Sequence, residues 1–239
     1  MRSGPHSAST RVVGGRTYRC DVSTTIDVYP ATDLMPLVEQ TRARTQELFQ
    51  QLLDRRGIAS TIEVKAFHPN AESGSIDYVA ADLRWRSGLA LGFGYWINGE
   101  WDSSSWPSCY ARGEDDLISD EDLTSDGDPG GSRPEFLGEW WIAQELAGVV
   151  RSDILAKILR SDHYWDEYRN MGGPAAASTG YGLAAAALAE ATDGVVASFD
   201  CAFDIEHNGE TAEQFLSWWG DAQIDWYGPE RFLVARTTS

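Results

Sequence analysis

The chain has 239 residues, of which 42% are hydrophobic and 11% aromatic, so it can bury a sizeable core. Its 19 basic and 37 acidic residues give a net charge of −18, which disfavours direct binding to nucleic acid or to an anionic membrane surface. The sequence shows neither an apolar run of the roughly 18 residues that cross a bilayer nor a secretory signal, so we expect a cytoplasmic protein. Three widely spaced cysteines predict plain thiols, and we expect no metal and no cofactor.

Charge and periodicity divide the chain into four segments. Residues 1–20 carry four arginines and no acidic residue, and we expect this basic tail to be disordered. Residues 21–111 predict an α+β sheet region, residues 112–134 an acidic loop or linker, and residues 135–239 a helix-rich region. The sheet region and the helix-rich region could together form one continuous domain.

The sheet region predicts a strand, a helix and a strand meander in an antiparallel sheet. The segment STTIDVYP alternates apolar and polar residues, and Pro30 ends it. Helical spacing follows from Leu34, with Asp33 as the cap, Pro36 in the first turn and Gly57 as the stop. The further predicted strands are STIEVKAF, SIDYVAADLRW, GLALGFGYWI and Trp106 to Tyr110, with a hairpin turn at Arg86-Ser87-Gly88.

The helix-rich region contains one or two strands among its helices. Helical patterns occupy PEFLGEWWIAQELAGVV, the segment from Ser152 to Leu159 with a continuation over 162–171, and Tyr181 to Ala191. A strand is predicted from Gly194 to Phe199, and Thr211 with Gln214 forms a capping-box pattern before the last helix. Helices after a strand meander favour the α+β class over a βαβ alternation.

Two neighbouring features predict a protein-binding surface. Trp96, Trp101 and Trp106 follow one another at five-residue intervals, and tryptophan is enriched in binding hot spots because it buries a large area. Eight carboxylates then lie between Glu114 and Asp128. Packing within the core or a hairpin is the alternative role of each ring, and solvation is the alternative role of the loop. The predicted partner-binding residues are Trp96, Trp101, Trp106, Glu114, Asp115, Asp116, Asp120, Glu121 and Asp122.

An alternative hypothesis is a metal-dependent hydrolase or nuclease. Glu63-Val64-Lys65 has the E-x-K form in which a carboxylate holds Mg²⁺ and a lysine orients the attacking water. Such a site needs a further carboxylate, for which Asp54 and Asp77 are the candidates. Alternating charged residues on the solvated face of a strand explain the same triplet.

Other metal and nucleophile patterns are incomplete. Asp120 and Asp122 have the spacing of calcium-loop ligands, as do Asp126 and Asp128, but the glycine and glutamate of an EF-hand are missing. The remaining candidates are His163 with Asp166 and Glu167 on one helical face, and Cys201 with His207, next to Asp204 and Glu206.

The C-terminal stretch ATDGVVASFDCAFD, followed by TAEQFLSWW, resembles a pattern in bacterial immunity-type proteins of polymorphic toxin systems. The resemblance implies an acidic α+β protein that occludes a cognate toxin, and no residue carries over as functional. We therefore expect a non-enzymatic protein, an immunity or antitoxin-like inhibitor, that binds a basic protein partner through its acidic loop and neighbouring tryptophans.

Overall fold

The computed structural model describes residues 9–13, 16–20, 23–68, 77–112, 145–170 and 172–234. Over these residues the protein is a mixed α+β structure with antiparallel sheets, as the sequence predicts. Within the same residues no helix combines the length and the apolar character that crossing a membrane requires.

The first two strands lie in the stretch that was expected to be disordered. β1 (Ser9–Val13) and β2 (Arg16–Cys20) pair antiparallel with each other, with Val13 opposite Arg16. The basic composition of residues 1–20 predicts disorder and gives no sign of this pairing. The sequence Gly14-Gly15, between two segments with β-branched residues, is nevertheless typical of a hairpin.

The larger sheet has six strands and combines both halves of the chain. Its strand order is β12-β11-β3-β10-β9-β6, where β3 is Ser23–Tyr29 and β10 is His163–Asn170. Because β10 pairs with β3 on one side and with β9 on the other, the two regions on either side of the acidic segment share one sheet. The other strands are β6 (Leu89–Ala90), β9 (Pro107–Ala111), β11 (Val195–Ala197) and β12 (Glu210–Thr211).

The smaller sheet has four strands in the order β5-β4-β7-β8. These are β4 (Ile62–His68), β5 (Asp77–Tyr78), β7 (Gly92–Ile97) and β8 (Glu100–Ser105). The hairpin between β7 and β8 turns at Asn98 and Gly99, both with positive φ, as a two-residue turn between right-twisted strands requires.

The hairpin predicted at Arg86-Ser87-Gly88 is wrong. The chain does turn there, with the N–H of Leu89 bonded to the Arg86 carbonyl at 3.0 Å, but it leads into β6, which pairs with β9. The segment before the turn is largely irregular, since β5 contains two residues and a turn follows it.

Five α-helices lie among the described residues. They are α1 (Val38–Arg55), α2 (Ser152–Ile158), α3 (Ala175–Ala191), α4 (Ala212–Leu216) and α5 (Trp219–Tyr227). α1 begins later than predicted, with the Leu37 N–H donating to Gln40 Oε1 at 3.0 Å, so Asp33 and Pro36 precede it. The capping box of Thr211 and Gln214 is confirmed.

The predicted helical continuation over residues 162–171 is wrong, because His163–Asn170 form β10. The pattern HYWDEYRN is rich in aromatic residues, which favour strands, and its buried positions alternate from His163 to Glu167. Most of the predicted helix PEFLGEWWIAQELAGVV lies outside the described residues, and Ala147 to Val150 form an isolated bridge instead.

α3 is the central element of the core. Residues 175–189 of this alanine-rich helix are all buried, and it contacts both sheets as well as α1, α4 and α5. Gly182 allows a close approach, since a Cβ atom there would lie 2.2 Å from the Trp219 indole nitrogen. A helix that is apolar on all sides belongs in the interior, and small residues allow its neighbours to pack closely against it.

Candidate functional site

The outer face of the smaller sheet gathers the aromatic residues of four strands and the following linker. The Trp96 and Trp101 ring centroids are 4.8 Å apart and nearly perpendicular. Phe67 contacts both Trp101 and Trp106, at centroid distances of 6.2 and 5.3 Å. We call this group the aromatic face; its members are Phe67, Tyr78, Trp96, Trp101 and Trp106.

A β-bulge places Trp101 on this face. Up to Tyr95, which pairs with Ser103, the register of β7 and β8 is regular, and it then shifts so that Trp96 pairs with Trp101. Without the shift, Trp101 would pair with Ile97, whose side chain points into the core. The bulge therefore brings together two tryptophans that strict alternation would place on opposite faces.

Two glycines in β7 make room for the rings. A Cβ atom on Gly92 would lie 2.3 Å from the Phe67 ring, and one on Gly94 would lie 2.5 Å from Trp101. Both distances are shorter than any side chain tolerates, so the rings lie directly on the backbone of β7. The aromatic face is consequently a closely packed layer of rings in edge-to-face contact.

Part of this layer is open to solvent. Tyr78 is 58% exposed and Trp106 is 40% exposed, while Trp96 and Trp101 are half-buried. Large apolar side chains that remain exposed in a group are a mark of interaction surfaces. The structure thus brings together the three predicted tryptophans and adds the exposed Tyr78 and, beneath the rings, the buried Phe67, neither of which sequence analysis singled out.

The acidic half of the predicted surface, from Glu114 to Asp122, lies outside the described residues. The described chain leads towards it through β9, which begins next to Trp106 and ends at Ala111. Five extended residues span about 16 Å, so β9 carries the described chain about that far from the tryptophan. Arg112 anchors the start of the segment by donating to the carbonyl oxygen of Ile158 at 2.6 Å.

The E-x-K triplet lies on the same outer face. Lys65 Nζ is 3.1 Å from Glu63 Oε2 and lies over the rings of Trp96 and Tyr78, at 4.6 and 5.7 Å from their centroids. A cavity of about 280 Å³ adjoins these residues, and Arg42 in its wall is bound by Glu39 at 2.6 Å. Lys65 therefore lies against the aromatic face, in contact with two of its rings.

Of the two carboxylates proposed to complete a metal site, Asp54 accepts a hydrogen bond from Gln50 at 2.9 Å. The backbone of Asp77 pairs with that of His68 in the sheet, and the side chain of Asp77 lies outside what the structure describes. Across the described ranges, no group of three or more histidine, cysteine or acidic residues is arranged to hold a metal ion.

The predicted helical face of His163, Asp166 and Glu167 does not exist, because these residues alternate along β10. His163 and Glu167 are buried on the core side, and Asp166 lies on the opposite face. His163 Nδ1 contacts Asp162 Oδ1 at 2.9 Å, and this hydrogen bond lowers the pKa of Asp162. Burial, with a contribution from the charge of Asp200, raises the pKa of Asp166 to about 6.

His207 is held by groups other than Cys201. Its Nδ1 lies 2.6 Å from Glu210 Oε1, and its ring stacks on Trp218 with the centroids 4.1 Å apart. The Trp218 indole N–H donates to the other oxygen of Glu210 at 2.7 Å. A histidine fixed in this way has a structural role between β12 and the last helices. Elsewhere, burial raises the pKa of Cys109 to about 12, so that thiol is a poor nucleophile.

A second cavity, of about 270 Å³, lies between the end of β8, β10 and the start of α3. Glu167 lines it, although only 3% of this residue is exposed, and its Oε1 accepts from the Trp106 N–H at 2.8 Å. Sequence analysis considered Glu167 only as a metal ligand, because the other walls come from distant segments. They include Ser105, Trp106, Pro174, Ala177, Ser178 and Tyr181.

Comparison with known proteins gives no match: no family model fits the chain, and no curated protein and no solved structure is significantly similar to it.

Proposed function

We propose that this chain is a protein-binding protein that engages a basic protein partner, in the manner of an immunity or antitoxin-like inhibitor. The observation that carries the proposal is the aromatic face, where Trp101 and Trp106 both pack on Phe67 and Trp96 packs on Trp101, on the outside of a sheet. Aromatic residues dominate the energy of protein interfaces because each buries a large area at little cost in side-chain entropy.

The charge of the chain supports a basic partner. A net charge of −18 favours association with a positively charged surface and repels phosphate backbones. In this proposal the aromatic face supplies most of the affinity, and the carboxylates of residues 114–122 steer the encounter. The resemblance of the C-terminal segment to immunity-type proteins is consistent with an inhibitory role.

Recovery of partners from an extract of the source cells tests the proposal. The tagged chain should capture a basic protein in a complex that weakens as salt is raised, because exposed charges are screened over roughly 10 Å at 0.1 M ionic strength. Reversing the charges of Asp115, Asp116, Asp120 and Asp122 should reduce the capture. Equal capture by that variant at every salt concentration would remove the acidic segment from the proposal.

A further inference from the structure

Asp166 lies on the outer face of the larger sheet, between two exposed tyrosines. On β10, residues 164, 166 and 168 point away from the core, because the alternate residue Trp165 is buried. Tyr110 of β9 pairs with Tyr164 and stacks on its ring, with the centroids 5.5 Å apart. Residues two apart in a strand are separated by roughly 7 Å, so Asp166 is one such step from Tyr164 and one from Tyr168. We call Tyr110, Asp166 and Tyr168 the tyrosine–aspartate row.

The tyrosine–aspartate row is open to solvent and continues the aromatic face. Tyr168 is 57% exposed and Tyr110 is 43% exposed. Tyr168 and Trp106 line the same cavity, and Trp106 belongs to the aromatic face. The exposed aromatic surface of the smaller sheet therefore extends onto the larger one, as in an interaction surface that uses both.

The side chain of Asp166 carries a charge that no cation offsets. Among the residues that the structure describes, this carboxyl has neither a hydrogen bond nor an ion pair, and no positive group lowers its pKa of about 6. At neutral pH the carboxyl is therefore ionised. Asp200, by contrast, accepts hydrogen bonds from the Thr25 N–H at 2.7 Å and from the Thr25 hydroxyl at 3.0 Å.

A half-buried carboxylate without a cation costs stability, and such a cost is typical of groups that serve a ligand. An arriving guanidinium or ammonium group would be attracted more strongly in these partly dehydrated surroundings than in water. Arginine also stacks on aromatic rings, and a tyrosine lies on either side of Asp166. The chemistry of the row thus favours a basic side chain.

We propose that the tyrosine–aspartate row is a second part of the partner-binding surface, in which Asp166 binds an arginine or lysine side chain of the basic partner. The inference rests on the proposed function and deepens it, because it states what the partner presents beside the aromatic face. The net charge of −18 favours the approach of such a partner.

Binding at the row should depend on pH. Because it requires ionised Asp166, the affinity is fully present above about pH 6 and falls as the pH is lowered towards 5. Ordinary carboxylates titrate near 4 and stay charged over this range. The groups that surround Asp166 on this face are Asp27 of β3 and Ser108 of β9, which pair with it in register, Asp200, and the tyrosines of β9 and β10.

The test uses a tetra-arginine amide as the probe, with the neutral tetracitrulline amide as its control. In the isotopically labelled chain, saturating tetra-arginine should lower the pKa of the Asp166 carboxyl by at least about one unit, as followed by carbon NMR. It should also shift the ring signals of Tyr110 and Tyr168, and tetracitrulline should do neither. The affinity measured from these shifts should fall about tenfold from pH 7 to pH 5, because about a tenth of Asp166 is ionised at pH 5.

Two variants separate the row from the general acidity of the chain. Asp166→Asn keeps the size of the side chain and should abolish both the ring shifts and the dependence on pH. Asp153→Asn, which removes the same charge from the exposed first turn of α2, should retain both. If tetra-arginine left the pKa of Asp166 unchanged, or shifted the tyrosine rings equally in Asp166→Asn, the proposal would be overturned.

A captured partner separates this inference from the proposed function. At pH 7 the partner should bind Asp166→Asn about tenfold more weakly than the wild type, since a charge-assisted contact is lost. Equal affinity of the two chains for the partner would overturn the role of the row and leave the aromatic face, which is tested separately through Trp101. Capture of no basic protein would instead overturn the proposed function, and with it the assignment of the cation to a partner.

Discussion

The ammonium nitrogen of Lys65 lies 4.6 Å from the centroid of the Trp96 ring. A cation over a partly exposed indole contributes roughly 0.5–1 kcal/mol. The same ammonium forms an ion pair with Glu63, which is half exposed and thus adds little. The contacts of Lys65 with Glu63 and with the Trp96 ring therefore give the E-x-K triplet a structural role on the aromatic face.

Replacing Lys65 should lower stability slightly, and by more than replacing a lysine that contacts no aromatic ring. Lys65→Met should lower the free energy of unfolding by about 0.5–1 kcal/mol, because the cation–π contact is lost while the apolar stem is retained. Lys157→Met, on the exposed surface of α2, is the matched control and should change it little. Denaturation with urea measures both, and equal values for the two variants would contradict the contact.

Adding a methyl group under the tryptophans should disturb the aromatic face. In Gly94→Ala the new Cβ atom would lie 2.5 Å from the Trp101 ring and 2.7 Å from the Trp96 ring. Both rings are half-buried and can move outwards, so we expect a changed near-ultraviolet circular dichroism spectrum and a stability loss of about 1 kcal/mol. An unchanged aromatic spectrum would show that the rings do not lie on Gly94.

The same change in the core should cost more. In an exposed helix, replacing a glycine with alanine stabilises the helix by about 1 kcal/mol, and this gain would apply to Gly182→Ala if packing allowed it. Here, however, the Cβ atom would lie 2.2 Å from the Trp219 indole nitrogen, which donates to the Thr179 carbonyl at 3.1 Å. We expect a net loss of about 2–3 kcal/mol in thermal or urea denaturation. A stabilised variant would contradict this packing.

Asp166 should make stability depend on pH. Its pKa of about 6 in the folded chain lies above the ordinary value near 3.9, so between these values the folded chain retains a proton that the unfolded chain has lost. Its contribution to stability is therefore present at low pH and falls as pH rises from about 4 to about 6. The neighbouring carboxylates on that face are Asp27, in register with it, and Asp200.

Asp166→Asn removes this titration. The variant should match the wild type near pH 4 and exceed it at pH 7 by about 3 kcal/mol, since the pKa is raised by about two units and each unit corresponds to about 1.4 kcal/mol. Urea denaturation at a series of pH values measures the difference. Parallel profiles for the two proteins would exclude Asp166 as the titrating group.

Local signals in the sequence predict several elements correctly. The strand that Pro30 ends, the helix that Gly57 follows and the capping box at Thr211 all depend on neighbouring residues, and the structure confirms each of them. The turn at Asn98-Gly99 has an equally local signal, but the prediction placed the hairpin at Arg86-Ser87-Gly88 instead.

The remaining features depend on contacts between distant segments. β10 becomes a strand because β3 and β9 pair with it on both sides, which no pattern within residues 163–170 alone determines. The spacing of Trp96, Trp101 and Trp106 predicts an aromatic patch. In a regular strand, however, residues five positions apart point to opposite faces of the sheet. The β-bulge shifts the register by one residue and so brings Trp96 and Trp101 to the same face. The cavity at Glu167 has no sequence signal of its own.

The most direct test of the central claim compares partner capture by three tagged chains at low salt. The wild type and Trp226→Ala, which removes a 77% exposed tryptophan on α5, should capture the same basic protein. The double variant Trp101→Ala, Trp106→Ala should lose at least about tenfold in affinity while remaining folded. The reason is that truncating an aromatic hot-spot residue costs roughly 2 kcal/mol or more of binding free energy. Equal capture by all three chains would contradict a binding role for the aromatic face.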